Sequence, residues 1–233
     1  FGQTTLGVGE VAITGINSEI PEDIDEGIIA DTTDEFSFVL LTDIESGTVI
    51  NFTDCALTAA NAFRNLNVGT GTIGEGIVTF TASTDLDCGT EIIITDDGSN
   101  NWSVLPITAG TAAETDGGFD LRRNGDQLIV FQGTTLAPTF IFGVHFADGT
   151  GWAADATNVR TSTVPSGLTE GTNAFARNRD NIVYKYNVTG NTSSILAATV
   201  EPGEWLGSNT AFQTLGLPSG ASFTCSTTIL EAG

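Results

Sequence analysis

The sequence predicts an all-β protein, an antiparallel β-sandwich of about nine short strands with one or two short helices. Three observations lead there. Apolar residues recur in short runs with mostly two-residue alternation, the period of a strand. Clusters of Gly, Asn, Asp and Ser separate those runs and tolerate the backbone of tight turns. The composition, with 28 Gly, no Met and only 15% charged residues, is poor in the Ala, Leu, Glu and Lys that helices need.

In chain order the strand candidates are Val11–Ile16, Phe36–Leu41, Thr48–Thr53, Gly76–Ala82 and Glu91–Thr95, then Gln127–Gln132, Thr139–Phe146, Asn181–Tyr186 and Ala221–Cys225. The turns between them include Glu45-Ser46-Gly47, Asp96-Asp97-Gly98-Ser99-Asn100, Asn124-Gly125-Asp126 and Val188-Thr189-Gly190-Asn191. A helix is expected over Ser193–Val200, capped by Ser193 or Ser194 and stopped by Pro202-Gly203. A second is expected over Leu57–Arg64. No Pro- or Ser-rich linker divides residues 1–233, so the chain reads as one domain.

Seven basic residues face 29 acidic ones, a formal net charge of -22. Such a chain is repelled by phosphate backbones and anionic lipid, which argues against nucleic-acid partners. No apolar run is long enough to be a membrane-spanning helix, so membrane insertion is not expected. The acidic loops suit calcium, which takes six to eight oxygen ligands. Glu22-Asp23-Ile24-Asp25-Glu26, Asp31 with Asp34-Glu35, Asp54, and Asp96-Asp97 with Asn100-Asn101 are candidates, and Asn17, Asp34 and Asp54 lie at strand ends that could converge. None has the spacing of an EF-hand loop.

Other motifs are weaker. Gly69-Thr70-Gly71-Thr72-Ile73-Gly74 matches a dinucleotide-binding pattern, but it leads into a strand and not into the helix that would face a pyrophosphate. His145 is the sole histidine. Alternation over Thr139–Phe146 puts Phe140, Phe142, Val144 and Phe146 in the core and His145 on the outer face or in a rim pocket. No Gly-x-Ser-x-Gly elbow accompanies it, so no catalytic site is specified. Trp102 and Trp152 occupy polar or Gly-rich positions and are candidates for a sugar-stacking platform, against the commoner role of tryptophan as a packing anchor.

The cysteines are Cys55, Cys88 and Cys225, without zinc spacing. A Cys55–Cys88 disulfide is expected, joining the end of Thr48–Thr53 to the turn before Glu91–Thr95 and leaving Cys225 over. It would close a loop of about 33 residues, worth roughly 3–4 kcal/mol.

The stretches Gly9-Glu10-Val11-Ala12-Ile13-Thr14-Gly15-Ile16-Asn17, Asp34-Glu35-Phe36-Ser37-Phe38-Val39-Leu40-Leu41 and Gly47-Thr48-Val49-Ile50-Asn51-Phe52-Thr53-Asp54 resemble a family of secreted bacterial cell-surface β-sandwich modules. Gly125-Asp126-Gln127-Leu128, Val164-Pro165-Ser166-Gly167-Leu168-Thr169-Glu170-Gly171-Thr172-Asn173-Ala174 and Pro202-Gly203-Glu204-Trp205 are similar to its later motifs. Cys55 departs from that pattern, which usually has a polar residue there. The resemblance implies a module of a long extracellular chain, often cargo of type IX secretion. It points to a non-catalytic structural or adhesive role, with neighbouring modules or copies of itself as partners. The alternative is a carbohydrate-binding module, calcium-assisted and attached to a secreted hydrolase, that recognises surface polysaccharide. Asp31-Thr32-Thr33 resembles a bacterial O-glycosylation site at Thr32. Ile229-Leu230-Glu231-Ala232-Gly233 echoes Leu6-Gly7-Val8-Gly9, and Gly233 is expected to be a junction to a further module.

Overall fold

The computed structural model describes residues 2–18, 34–99, 101–122, 124–146, 149, 151–209, 217 and 220–226. Thr32, residues 22–26, Asp31, Asn100 and the segment 227–233 lie outside them.

Fourteen strands are described: β1 (Val11–Asn17), β2 (Glu35–Leu40), β3 (Val49–Thr53), β4 (Ile77–Ala82), β5 (Glu91–Asp96), β6 (Trp102–Leu105), β7 (Gly110–Asp116), β8 (Asp126–Thr134), β9 (Ala137–Phe146), β10 (Ala174–Arg177), β11 (Asn181–Tyr184), β12 (Val188–Gly190), β13 (Trp205–Ser208) and β14 (Phe223–Cys225). They build two six-stranded sheets, ordered β13-β11-β1-β2-β5-β6 and β10-β9-β8-β3-β4-β7, and a small β12-β14 pair. Pairing is antiparallel except for β9–β10 and β12–β14. All nine expected strands are present, within an all-β sandwich-like fold.

The inner faces of the two sheets enclose the main core, where Phe36 and Phe38 stack on Phe52 with ring centroids 4.9 and 4.8 Å apart. The edge strands β6 and β7 lie against each other and close one flank. At the other flank Arg177 Nη2 on β10 donates to the Trp205 carbonyl on β13 at 3.1 Å.

A second apolar layer lies outside the β10–β7 sheet. There Cys55, Leu57, Phe63, Ile73 and Leu168 cover Ile129, Phe131 and Phe140. This is why β8 carries the unbroken run Leu128-Ile129-Val130-Phe131: both of its faces are buried. Two loops form the cover and are stitched together, Leu57 N donating to Ser162 Oγ at 2.9 Å and Thr163 N to Leu57 O at 3.0 Å. That stitching replaces the helix expected over Leu57–Arg64. Asn61 adopts a left-handed backbone, φ 59°, which ends any helical turn.

A β-bulge changes one expected face. Val130 pairs with Phe142 but Phe131 pairs with Phe140, so Ile141 is the extra residue. Phe140 therefore turns to the outer layer while Ile141 joins the main core. The Ile141 carbonyl is taken by Gly9 N at 2.8 Å. Helix α1 (Thr192–Thr199) forms where expected, but its cap is Asn191, whose side chain accepts from Ser194 N at 2.9 Å.

The cysteine pairing differs from expectation. Cys88 bonds to Cys225, with Cα atoms 5.8 Å apart, and Cys55 is a buried free thiol. β3 and β4 are antiparallel with Thr53 opposite Ile77, so Cys55 follows one end of the pair and Cys88 the other. The strand between them covers roughly 20 Å, beyond the ~7 Å that a disulfide can bridge. Gly89, at φ 91°, lets the turn carrying Cys88 press against the Phe223 carbonyl of β14.

The bridge spans 137 residues of sequence. Replacing Cys88 and Cys225 together by Ser is expected to lower stability by about 2–5 kcal/mol. Denaturant unfolding of the double variant and of Cys55→Ser checks this. An equal effect of Cys55→Ser would be the wrong outcome.

Candidate functional site

Two of the acidic residues that the sequence singles out, Asp34 and Asp54, meet Glu114 and Asp126 at one end of the sandwich, around the β7–β8 connection. There Glu114 Oε1 accepts from Gly118 N at 2.6 Å and from Phe119 N at 3.0 Å. Asp54 Oδ2 accepts from Asp120 N at 2.9 Å, and Asp34 Oδ2 from Leu121 N at 3.0 Å. Asp126 Oδ2 accepts from Arg122 N at 3.0 Å. Five successive backbone amides, from residue 118 to 122, are thus each held by a carboxylate. Those carboxylates come from β7, the end of β3, the approach to β2 and the start of β8.

The same chemistry extends inward. Asp54 Oδ1 accepts from Gly76 N at 2.9 Å, and Glu75 Oε2 from Ala56 N at 3.3 Å. Gln127 Nε2 donates to Asp126 Oδ1 at 2.8 Å, to Val159 O at 3.1 Å and to the Asp54 carbonyl. The connection is exposed at Gly118 and Arg122 but buried at Phe119 and Leu121, and backbone N–H groups left unpaired at its buried positions would each cost about 1–3 kcal/mol. Carboxylates satisfy them here.

Burial pushes the carboxyls of Asp54 and Asp126 well above the usual range, reinforced by the charge of Glu75 on Asp54 and of Asp54 on Asp126. Burial also raises Glu75, opposed by its bond from Ala56 N and by Arg64. The Cys55 thiol is raised far above its ordinary value, first by burial and then by Glu75 and Asp54. A thiol held protonated in this way is a poor nucleophile.

Asp34 and Asp54 do converge as expected, on adjacent amides. Asn17 Nδ2 instead donates to Glu35 at 2.9 Å. Asp97 closes its own turn, accepting from Ser99 N at 2.9 Å and from Asn101 Nδ2 at 3.0 Å. Asp96 is buried and its carboxyl is raised by that burial. Among the described residues no three Asp, Glu, His or Cys side chains are grouped so as to share a metal ion.

The two tryptophans that are candidates for a sugar platform are half-buried and lie on different parts of the molecule. Trp102 packs edge-on to Phe119, centroids 5.2 Å apart, against the main core. Trp152 packs on the outer layer beside His145, centroids 5.4 Å apart, near the opposite flank. The third tryptophan, Trp205, is buried and donates from Nε1 to Thr199 O at 2.9 Å.

No protein-family model, curated protein or solved structure matches this chain.

Sequence reasoning missed Glu114, Glu75 and Asp126. Asp126 lay in a recognised turn, Asn124-Gly125-Asp126, and its position opening an apolar strand was the available signal. His145 lines a polar pocket of about 260 Å³ with Glu170, Arg177 and Asn178, three residues that sequence reasoning did not single out. His145 lies on the outer face as expected, but it is only 1% exposed and its Nε2 meets the Arg160 carbonyl at 3.2 Å.

Two outcomes follow from the carboxylate cluster. Because the folded pKa values of Asp54 and Asp126 are raised, the native state binds more protons than the unfolded chain between the ordinary and the raised values. Stability therefore increases as pH falls through the raised values toward the ordinary carboxylate value of about 4, and Asp126→Asn flattens the increase. Calorimetric Tm at fixed ionic strength reads this, and a Tm that falls over the same range contradicts it. Gly76→Ala would drive a methyl into the Phe119 backbone, with an expected loss of about 1–3 kcal/mol in urea unfolding.

Proposed function

We propose that this chain is a rigid, non-catalytic structural or adhesive module of a secreted bacterial surface protein, acting through neighbouring modules or copies of itself. The observation that carries the reading is the disulfide joining Cys88 to Cys225. Such bonds persist in oxidising compartments and are rare in the cytosol. The sequence resemblance to secreted surface modules points the same way.

The disposition of reactive groups supports the non-catalytic part. The most perturbed carboxylates, Asp54 and Asp126, have both oxygens engaged with backbone or side-chain N–H groups. The Cys55 thiol is buried among carboxylates and His145 lies beneath a loop. These groups stiffen a framework; rigidity is what a load-bearing or spacing module requires.

Fractionation of the native source, with thiol labelling before and after denaturation, tests the proposal. The expected result is protein at the cell surface or in the medium, with Cys55 as its one labelled thiol and only after unfolding. Recovery from the cytoplasm with Cys55, Cys88 and Cys225 all labelled would overturn it.

A further inference from the structure

We infer that two copies of this chain pair through the flank formed by β6 and β7, a step that rests on the structural reading above and names the surface by which copies meet. β6 and β7 are the end strands of their sheets and are joined by a tight turn, closed by Ala109 N donating to the Pro106 carbonyl at 2.8 Å. An end strand presents a row of backbone groups that its own sheet does not pair. Val104 and Ala109 are buried in the main core and fix the turn to the body of the protein. Leu105 and Ile107 instead stand out into solvent, 54% and 82% exposed. Beside them runs a groove of about 370 Å³ whose walls include Trp102, Leu105, Gly110 and Ala112.

Apolar residues scattered singly over a surface need no explanation, but an exposed pair beside an apolar groove is what a docking surface presents. Knob and groove lie on one patch. A two-fold axis can therefore seat Ile107 of each copy against the groove of the other, the self-complementary contact of a symmetric dimer.

Charge identifies the occupant as a second copy. Acidic residues outnumber basic ones 29 to 7, so two copies repel each other wherever their acidic surfaces face. Residues 101–113, which supply the turn and both walls of the groove, contain no acid or base. A basic partner gains nothing electrostatically from this flank and is drawn to the acidic surface instead. A partner as acidic as this chain finds here apolar contact with no carboxylate in the lining, and the chain itself is such a partner.

Sedimentation equilibrium of this chain up to about 0.5 mM tests the inference, with two-dimensional NMR of the labelled protein to locate the contact. The expected result is a reversible monomer–dimer equilibrium that shifts or broadens the amides of Ser103, Leu105, Ile107 and Thr111. Raising NaCl from about 0.05 to about 0.5 M should strengthen pairing, because salt screens the repulsion between acidic copies. Ile107→Glu alters an exposed side chain, so circular dichroism should be unchanged while dimerisation weakens at least about tenfold. Val68→Glu, at an exposed position in the turn closed by Asn67 N and Thr72 O, is the control and should pair as the parent does. The inference is overturned if the chain stays monomeric over that range, if Ile107→Glu pairs as tightly as the parent, or if the shifted amides lie elsewhere. A monomer would leave the secreted-module reading standing, with neighbouring modules as partners. Recovery from the cytoplasm would sink that reading and leave this measurement untouched.

Discussion

The structure depends on one constraint: the connection between β7 and β8 tucks Phe119 and Leu121 into the main core, and its amides have no strand partner there. The solution is to aim carboxylates at five successive N–H groups, from Gly118 to Arg122. Because those carboxylates belong to β7, β3, β8 and the residue before β2, the loop ties both sheets together at one end. Hydrogen bonds to charged acceptors are stronger than neutral ones, and in a low-dielectric setting they hold geometry tightly. The opposing term is desolvation of the carboxylates, which falls most heavily on Asp54 and Asp126.

This arrangement gives a physical meaning to part of the acidic composition. A chain with 29 acidic residues could simply carry a solvated surface. Several of its carboxylates instead act as internal caps for backbone that has no ladder partner. Asp116, for example, reaches across to accept from Ile73 N at 2.8 Å. At the surface, where the loops covering β8 and β9 meet, Asp155 Oδ1 likewise accepts from Ala59 N at 2.7 Å.

Much of the fold was legible from the alternation of apolar residues, since each of the nine expected strands has a buried face. The strands that escaped notice are β6, β7, β10, β12 and β13. β7, Gly110-Thr111-Ala112-Ala113-Glu114-Thr115-Asp116, is an edge strand of small and polar residues, and the others have only three or four residues. Edge strands bury too little to write a hydrophobic pattern. The face of Phe140 was misread because a bulge at Ile141 breaks the period of two, and no residue type announces a bulge there. Asp34 and Asp54 were legible as convergent, but their targets are backbone amides, which leave no trace in side-chain identity. The cysteine pairing needed knowledge of which strand end each cysteine follows, and that is a property of the assembled sheet.

The disulfide has a mechanical consequence. It joins residues 137 positions apart, so it is a covalent short circuit between the turn before β5 and the last described strand. Tension applied to the polypeptide on either side of the bridged positions travels through residues before Cys88, crosses the sulfur atoms and leaves beyond Cys225. Everything from β5 to the start of β14 lies off that covalent path and cannot be drawn out while the bond is intact. The extensible part of the molecule is then confined to β1 through β4 and their connections, with the carboxylate-held loop, the pocket and helix α1 kept within the unstretched segment.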